Sequence, residues 1–109
     1  MRFLRPIPRR LLPDDMMVWP ARGDGSFEPT VLVRHVRYER SESAVADAHR
    51  SADGGAGRVI VDAVNSEGAF EIPPGSRVLV GAGPSVMVRS CKRCCVIRGQ
   101  VHHWELEVG

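Results

Sequence analysis

The chemistry-bearing residues of this sequence crowd into one short stretch: Cys91, Cys94 and Cys95, followed by His102 and His103. A C-x-x-C pair with a later histidine is a pattern that tetrahedral zinc sites use, because thiolate and imidazole are the soft donors the ion prefers. On that reading Cys91, Cys94 and His102 are the candidate ligands. The spacing weakens it. A structural site takes two ligands from each of two knuckles, and adjacent histidines in a strand point to opposite faces, so His102 and His103 are not expected to meet at one ion. Cysteines in a strand or its turn are expected to pack as small hydrophobes. The expectation is no bound metal and no cofactor.

A nucleophilic Cys–His couple fails for a different reason. An activated thiolate needs a base within hydrogen-bond reach and a third group to orient that base, and the sequence supplies no such group. Acidic residues are dispersed, no glycine-rich phosphate loop precedes a helix, and the stretch DAVN at 62–65 has too few regularly spaced oxygens for an EF-hand. No catalytic residue is assigned, and a non-enzymatic protein is expected. One of the two histidines is expected to pack or hydrogen-bond inside while the other stays wet. Trp19 and Trp104 lie among apolar strand residues rather than in a basic aromatic groove, so both are expected to be core anchors.

The elements that must position these residues follow from composition and pattern. A chain of 109 residues has room for one core, and 43% hydrophobic with 26% charged residues is ordinary globular composition. With only 6% aromatic residues, valine has to fill much of the interior, which favours strands. The basic residues are almost all arginine, Lys92 being the one lysine, and they gather at Arg2, Arg5, Arg9 and Arg10 and again at Arg89, Lys92, Arg93 and Arg98. A net charge of +2 argues against a dedicated nucleic-acid binder, although either patch suits an acidic neighbour or DNA phosphates. Prolines interrupt the basic start before an apolar run of signal length develops, and no later stretch is long enough to span a bilayer. Three closely spaced cysteines do not form a secreted disulfide framework. A soluble protein made in a reducing cytoplasm, with no membrane partner, is expected.

Along the chain, residues 1–15 carry three prolines and are expected to form an extended arm. Residues 16–109 are expected to form the barrel domain. Its strands are placed at 16–19, 30–38, 58–64, 76–80, 85–90 with 94–97 as a second strand or part of one bent strand, and 102–108. Gly- and Pro-rich turns separate them at 22–26, 65–68, 73–75, 81–84 and 99. Residues 41–57 turn abruptly to Ser, Ala, Asp and Gly and are expected to be a flexible excursion, with a brief helix possible at 44–49. Short strands without an amphipathic helix give an all-β fold, a small single-domain barrel or sandwich.

Four strings carry a resemblance. FLRPIPRRLLP at 3–13, VIVDAVNS at 59–66, IPPGSRVLV at 72–80 and HHWELEV at 102–108 resemble, in that order and rough spacing, a family of minor capsid proteins of tailed bacteriophages, of the head-completion or stopper type. The resemblance implies a ring-forming barrel in the virion, below the portal or adaptor protein, that closes the DNA-filled head and presents a surface to a tail-terminator or tail protein. Contact with packaged double-stranded DNA is a further implication. Phe3, Leu4, Arg5, Ile7, Arg9, Arg10, Leu11 and Leu12 of the arm become candidates for the subunit interface, with an arm folded over its own barrel as the equal alternative. Ser43, Asp47, His49, Arg50 and Asp53 of the excursion become candidates for a channel or gating loop. The sequence departs from the family at Ser85, Val86 and Met87, where an aromatic residue is common, and the family does not account for CKRCC at 91–95. The competing expectation is a small OB- or SH3-like nucleic-acid-binding barrel built on the basic segment 89–98, which lacks the exposed aromatics such modules use.

Overall fold

The computed structural model describes residues 5–41 and 56–109. The chain is all-β: β1 (Asp14–Trp19), β2 (Val31–Arg40), β3 (Gly57–Asp62), β4 (Arg77–Val80), β5 (Ser85–Cys94) and β6 (His103–Val108). They close into one antiparallel barrel in the order β1-β2-β3-β6-β5-β4. Two three-stranded meanders, β1–β3 and β4–β6, are thus joined along β3–β6 and β1–β4. Closure gives every strand two neighbours, although β5 runs on past β4 after Met87 and β2 runs on past β3 before Val36.

Thirteen buried residues form the core cluster, and ten of them are valine, the residue a pleated, half-buried surface packs best. The inward positions meet in register: Val18 opposite Val78, Val36 opposite Val61, Val59 opposite Leu106 and Val88 opposite Val108. Met16, Ile72 and Leu106 supply the larger volumes at the centre.

Strict alternation breaks at two places, and each is a bulge. In β2, Val33 and Val36 both point inward although three residues apart, because Arg34 and His35 together oppose Asp15. His35 takes φ 62°, and the bulge is tied down by His35 N–H to Asp15 Oδ1 (3.3 Å), Arg34 N–H to Glu67 O (3.0 Å) and a short bond from Ser66 Oγ to His35 O. In β5 the register shifts between Val88 and Ser90, so Cys91 replaces the expected next position on the inner face. The two segments expected at 85–90 and 94–97 are therefore one bent strand ending at Cys94, with residues 95–97 in the hairpin loop.

Strand β1 starts two residues before the expected boundary, since Asp14 and Asp15 already pair with β2. Upstream of it a 3-10 turn spans Arg9–Leu11. The β1–β2 hairpin closes through Arg22 N–H to Ser26 O (3.0 Å) and Glu28 N–H to Pro20 O (2.7 Å). Buried Ser76 accepts from Ala21 N–H and donates to Pro73 O, fixing the Pro-Pro-Gly corner against that hairpin.

Candidate functional site

The β5–β6 hairpin gathers the thiols and imidazoles. Its tip is the pair Arg98 (φ 53°) and Gly99 (φ 79°), flanked by reciprocal 2.9 Å bonds between Ile97 and Gln100, the positive-φ pattern of a two-residue hairpin turn. At the base, Cys95 also takes a positive φ, 55°, a conformation costing a side-chain-bearing residue about 1–2 kcal/mol. His102 sits at a bend before β6, and its N–H bonds Cys94 O at 3.2 Å.

That bend corrects the expectation that the two histidines diverge. Face alternation applies to successive residues within a strand, and His102 precedes β6, so its ring turns onto that of His103. The rings lie edge to face with centroids 5.0 Å apart, and the two Nδ1 atoms are separated by 2.8 Å. Each outer nitrogen has its own partner: His102 Nε2 lies 2.7 Å from Arg5 O, and His103 Nε2 lies 3.3 Å from Glu105 Oε2. Ligand-bearing atoms of Cys95, His102 and His103 all fall within 4.8 Å of one another, and so do those of Cys94, His103 and Glu105.

Cys91 does not join either group. Residues three apart on a strand face opposite sides, so the C-x-x-C pair splits: Cys91 packs against the core while Cys94 lies beside His103 and Glu105. Sequence reasoning left Cys95 and His103 out of the candidate ligands, and it missed Glu105 altogether. The Arg98-Gly99 turn was the signal available for them, because it fixes the pairing of positions across the hairpin. Burial pushes the thiols of Cys91 and Cys94 above the ordinary cysteine range, and the Glu105 carboxylate adds to the shift at Cys94. Burial alone raises Glu105, but hydrogen bonds with His103 and Cys94 and the charge of Arg58 outweigh it and leave its carboxyl below the usual range.

The described part of the arm lies on its own barrel at this same end. Asp62, fully buried at the end of β3, accepts from Ile7 N–H through Oδ1 (3.0 Å) and from Val64 and Asn65 N–H through Oδ2 (3.0 and 2.8 Å). Asn65 Nδ2 donates back to Ile7 O at 2.8 Å. Of the interface candidates, Leu12 is 1% exposed and belongs to the interior, so it is not offered to a neighbour. Ile7 is half-buried, Arg5, Arg9, Arg10 and Leu11 are exposed, and Phe3 and Leu4 lie outside the described residues. The gating candidates Ser43, Asp47, His49, Arg50 and Asp53 also lie outside them.

The two tryptophans differ. Trp104 packs against the core cluster and donates its indole N–H to Glu71 Oε1 at 3.2 Å. Trp19 alternates with the inward Met16 and Val18, is half-buried on the outer side of β1, and is not part of the core cluster. It lies beside an apolar row on the barrel exterior. Leu32, Met17 and Leu79 are register partners across β2, β1 and β4, with Leu32 49% and Met17 39% exposed and Leu79 half-buried; in the neighbouring row Arg77 sits between Trp19 on β1 and Met87 on β5.

Charge on the basic segment is partly neutralised: Arg93 clamps Glu71 through Nε and Nη2 (2.5 and 2.8 Å). An open groove of about 480 Å³ sits at the opposite end of β3 and β6, with Arg58, Glu39, Arg89 and Glu107 among its walls. There Arg58 already bonds Glu39 at 2.7 Å. Among the described residues no helix is long and apolar enough to cross a membrane. No protein-family model matches the chain, and comparisons with curated proteins and with solved structures return no similar protein.

Proposed function

We propose that this protein is a non-enzymatic structural subunit of the tailed-phage head-to-tail connector. Copies form a ring below the portal or adaptor protein, close the filled head and offer a surface to the tail. The observation that carries the reading is the outward row Leu32–Met17–Leu79, bordered by a second row in which Arg77 separates Trp19 from Met87. In a closed barrel every strand already has two neighbours, which favours association through side chains and loops over strand addition. A contiguous exposed apolar row is the kind of surface that association buries. The resemblance of four strings to stopper-type proteins suggests the phage context, and a ring of many copies needs only a modest contact at each junction.

The experiment is assembly of the purified chain. Light scattering and negative-stain imaging are expected to give a closed ring at micromolar concentration, and Met17→Glu together with Leu32→Asp is expected to give a folded monomer. Phage carrying the double variant should make heads that lose DNA and lack tails. A chain that stays monomeric and is absent from purified particles overturns the proposal. So does salt-sensitive DNA binding with a slope of several phosphates, which would favour a nucleic-acid module.

A further inference from the structure

We propose that Cys94, Cys95, His102 and His103 form a zinc-binding site at the base of the β5–β6 hairpin, with Glu105 and the Arg5 carbonyl as the groups that orient its histidines. The assignment rests on hydrogen-bond roles as much as on proximity. A carbonyl oxygen only accepts, so His102 Nε2, 2.7 Å from Arg5 O, must carry the hydrogen. An ionised carboxylate likewise only accepts, so His103 Nε2 carries its hydrogen toward Glu105. Both imidazoles are then left with an Nδ1 lone pair, and those lone pairs face each other at 2.8 Å. Two acceptors at that distance repel unless a proton or a cation lies between them. Histidine ligands of zinc have this arrangement, one nitrogen on the ion and the other donating to a carboxylate or backbone carbonyl.

The thiols complete the set. Cys95 Sγ lies within 4.8 Å of the ligand atoms of both histidines, whereas Cys94 Sγ lies within that distance of His103 and Glu105, outside the first group and on the Glu105 side of His103. Zinc–sulfur and zinc–nitrogen bonds require ligand atoms about 3.3–3.8 Å apart in a tetrahedron. Cys95 therefore moves inward by about 1 Å and Cys94 turns from the Glu105 side toward the ion, while the two Nδ1 atoms separate slightly. Two thiolates and two neutral imidazoles give zinc a neutral Cys2His2 shell, each thiol releasing its proton to solvent on binding. Cys95 reaches the site because its positive φ turns it out of the strand pattern. The bound ion would staple the two arms of the hairpin and, through His102, hold Arg5 of the arm in place.

The test uses the full chain, reduced and stripped of metal, titrated with zinc and with cobalt as a spectroscopic probe. Expected are one ion per chain by native mass spectrometry, a tetrahedral cobalt spectrum with a thiolate-to-metal band, and a higher Tm with zinc. Cys95→Ser and His102→Ala, both at loop positions outside the strands, should abolish the thiolate band or reduce zinc affinity more than 100-fold while the metal-free Tm stays near that of the parent. Glu105→Gln should weaken binding about 10–100-fold, as loss of an orienting acceptor does. Cys91→Ser should leave binding unchanged. A stoichiometry well below one, a band that survives Cys95→Ser, or a band lost in Cys91→Ser overturns the site.

Discussion

Asp62 joins the arm to the barrel, and its replacement has a calculable consequence. Asp62→Ala removes the acceptor for three backbone N–H groups, those of Ile7, Val64 and Asn65. Each hydrogen bond to a charged acceptor contributes about 1.5–3 kcal/mol net. The three do not sum to the upper limit, because Val64 is 69% exposed and its N–H can turn to water, and because the buried carboxylate no longer has to be desolvated. A loss of about 3 kcal/mol follows from one part-buried amide left wholly unpaired and two partly rescued. For a domain of this size that lowers Tm by roughly 12–24 °C. Thermal unfolding by circular dichroism measures it. Asp62→Asn separates the two halves of the effect, since its single acceptor oxygen can serve the Val64–Asn65 turn or Ile7 but not both. In that variant the turn keeps its bonds, while the Ile7 amide exchanges faster and trypsin cuts sooner after Arg9 and Arg10. A Tm drop under about 4 °C in Asp62→Ala, with Ile7 exchange unchanged, would refute the idea that this carboxylate anchors the arm.

Two further perturbations probe the opposite end of the barrel. Gly57→Ala places a Cβ 2.3 Å from Glu39 O and 2.9 Å from the Arg40 Cα, both backbone atoms that cannot swing aside; opening the β2–β3 pair there is expected to cost about 1–3 kcal/mol, read as a lower urea midpoint with faster exchange at Ser41. Glu39 is held below the ordinary carboxylate range chiefly by its hydrogen bond from Arg58, with burial opposing and Arg37 assisting. A depressed folded pKa adds stability that is present above the unfolded value, about 4.3, and is lost as pH falls through the lower folded value. The pair is solvent-accessible, so the contribution is about 0.2–1 kcal/mol. Glu39→Gln should remove that part of the acid-side slope in a series of chemical denaturations below pH 5, and an unchanged slope counts against the pair.

The barrel was legible in the sequence because its signals are local. Apolar residues at every second position, valines in β3 and β4 and Trp104, Leu106 and Val108 in β6, and Gly-Pro punctuation between the strands need only the period of a strand. The bulges were not legible. TVLVRHVRY reads as a strand with faulty alternation, and the fault is His35 leaving the pattern so that Val33 and Val36 can both face inward. The cysteine–histidine corner was misread for a related reason. Spacing along the chain favoured Cys91 with Cys94, whereas the grouping is set by where β5 ends, where β6 begins and how Cys95 turns between them. Asp62 showed itself only as a poor calcium ligand. Its partner Ile7 is 55 residues away, a separation that no local pattern encodes.

How these features are distributed around the barrel restricts how copies can meet. In the register of β3 with β6, Gly57 opposes Val108 at one end and Asp62 opposes His103 at the other. The arm, Asp62, His102 and the hairpin base occupy the second end, where the arm's own bonds already cover part of the barrel. The chain leaves β2 and enters β3 at the first end, beside the groove lined by Glu39 and Arg58. The β2-β1-β4 side carries the row of Leu32, Met17 and Leu79, with Leu32 and Met17 exposed. A contact through that side sets neighbouring barrels next to one another and leaves both ends free, as a ring between two different partners requires. In such a ring an arm tied down by Asp62 and His102 would present Arg9 and Arg10 from one rim only. Releasing it with Asp62→Asn should therefore leave ring size unchanged and weaken docking to a single partner, whereas Met17→Glu should abolish the ring itself.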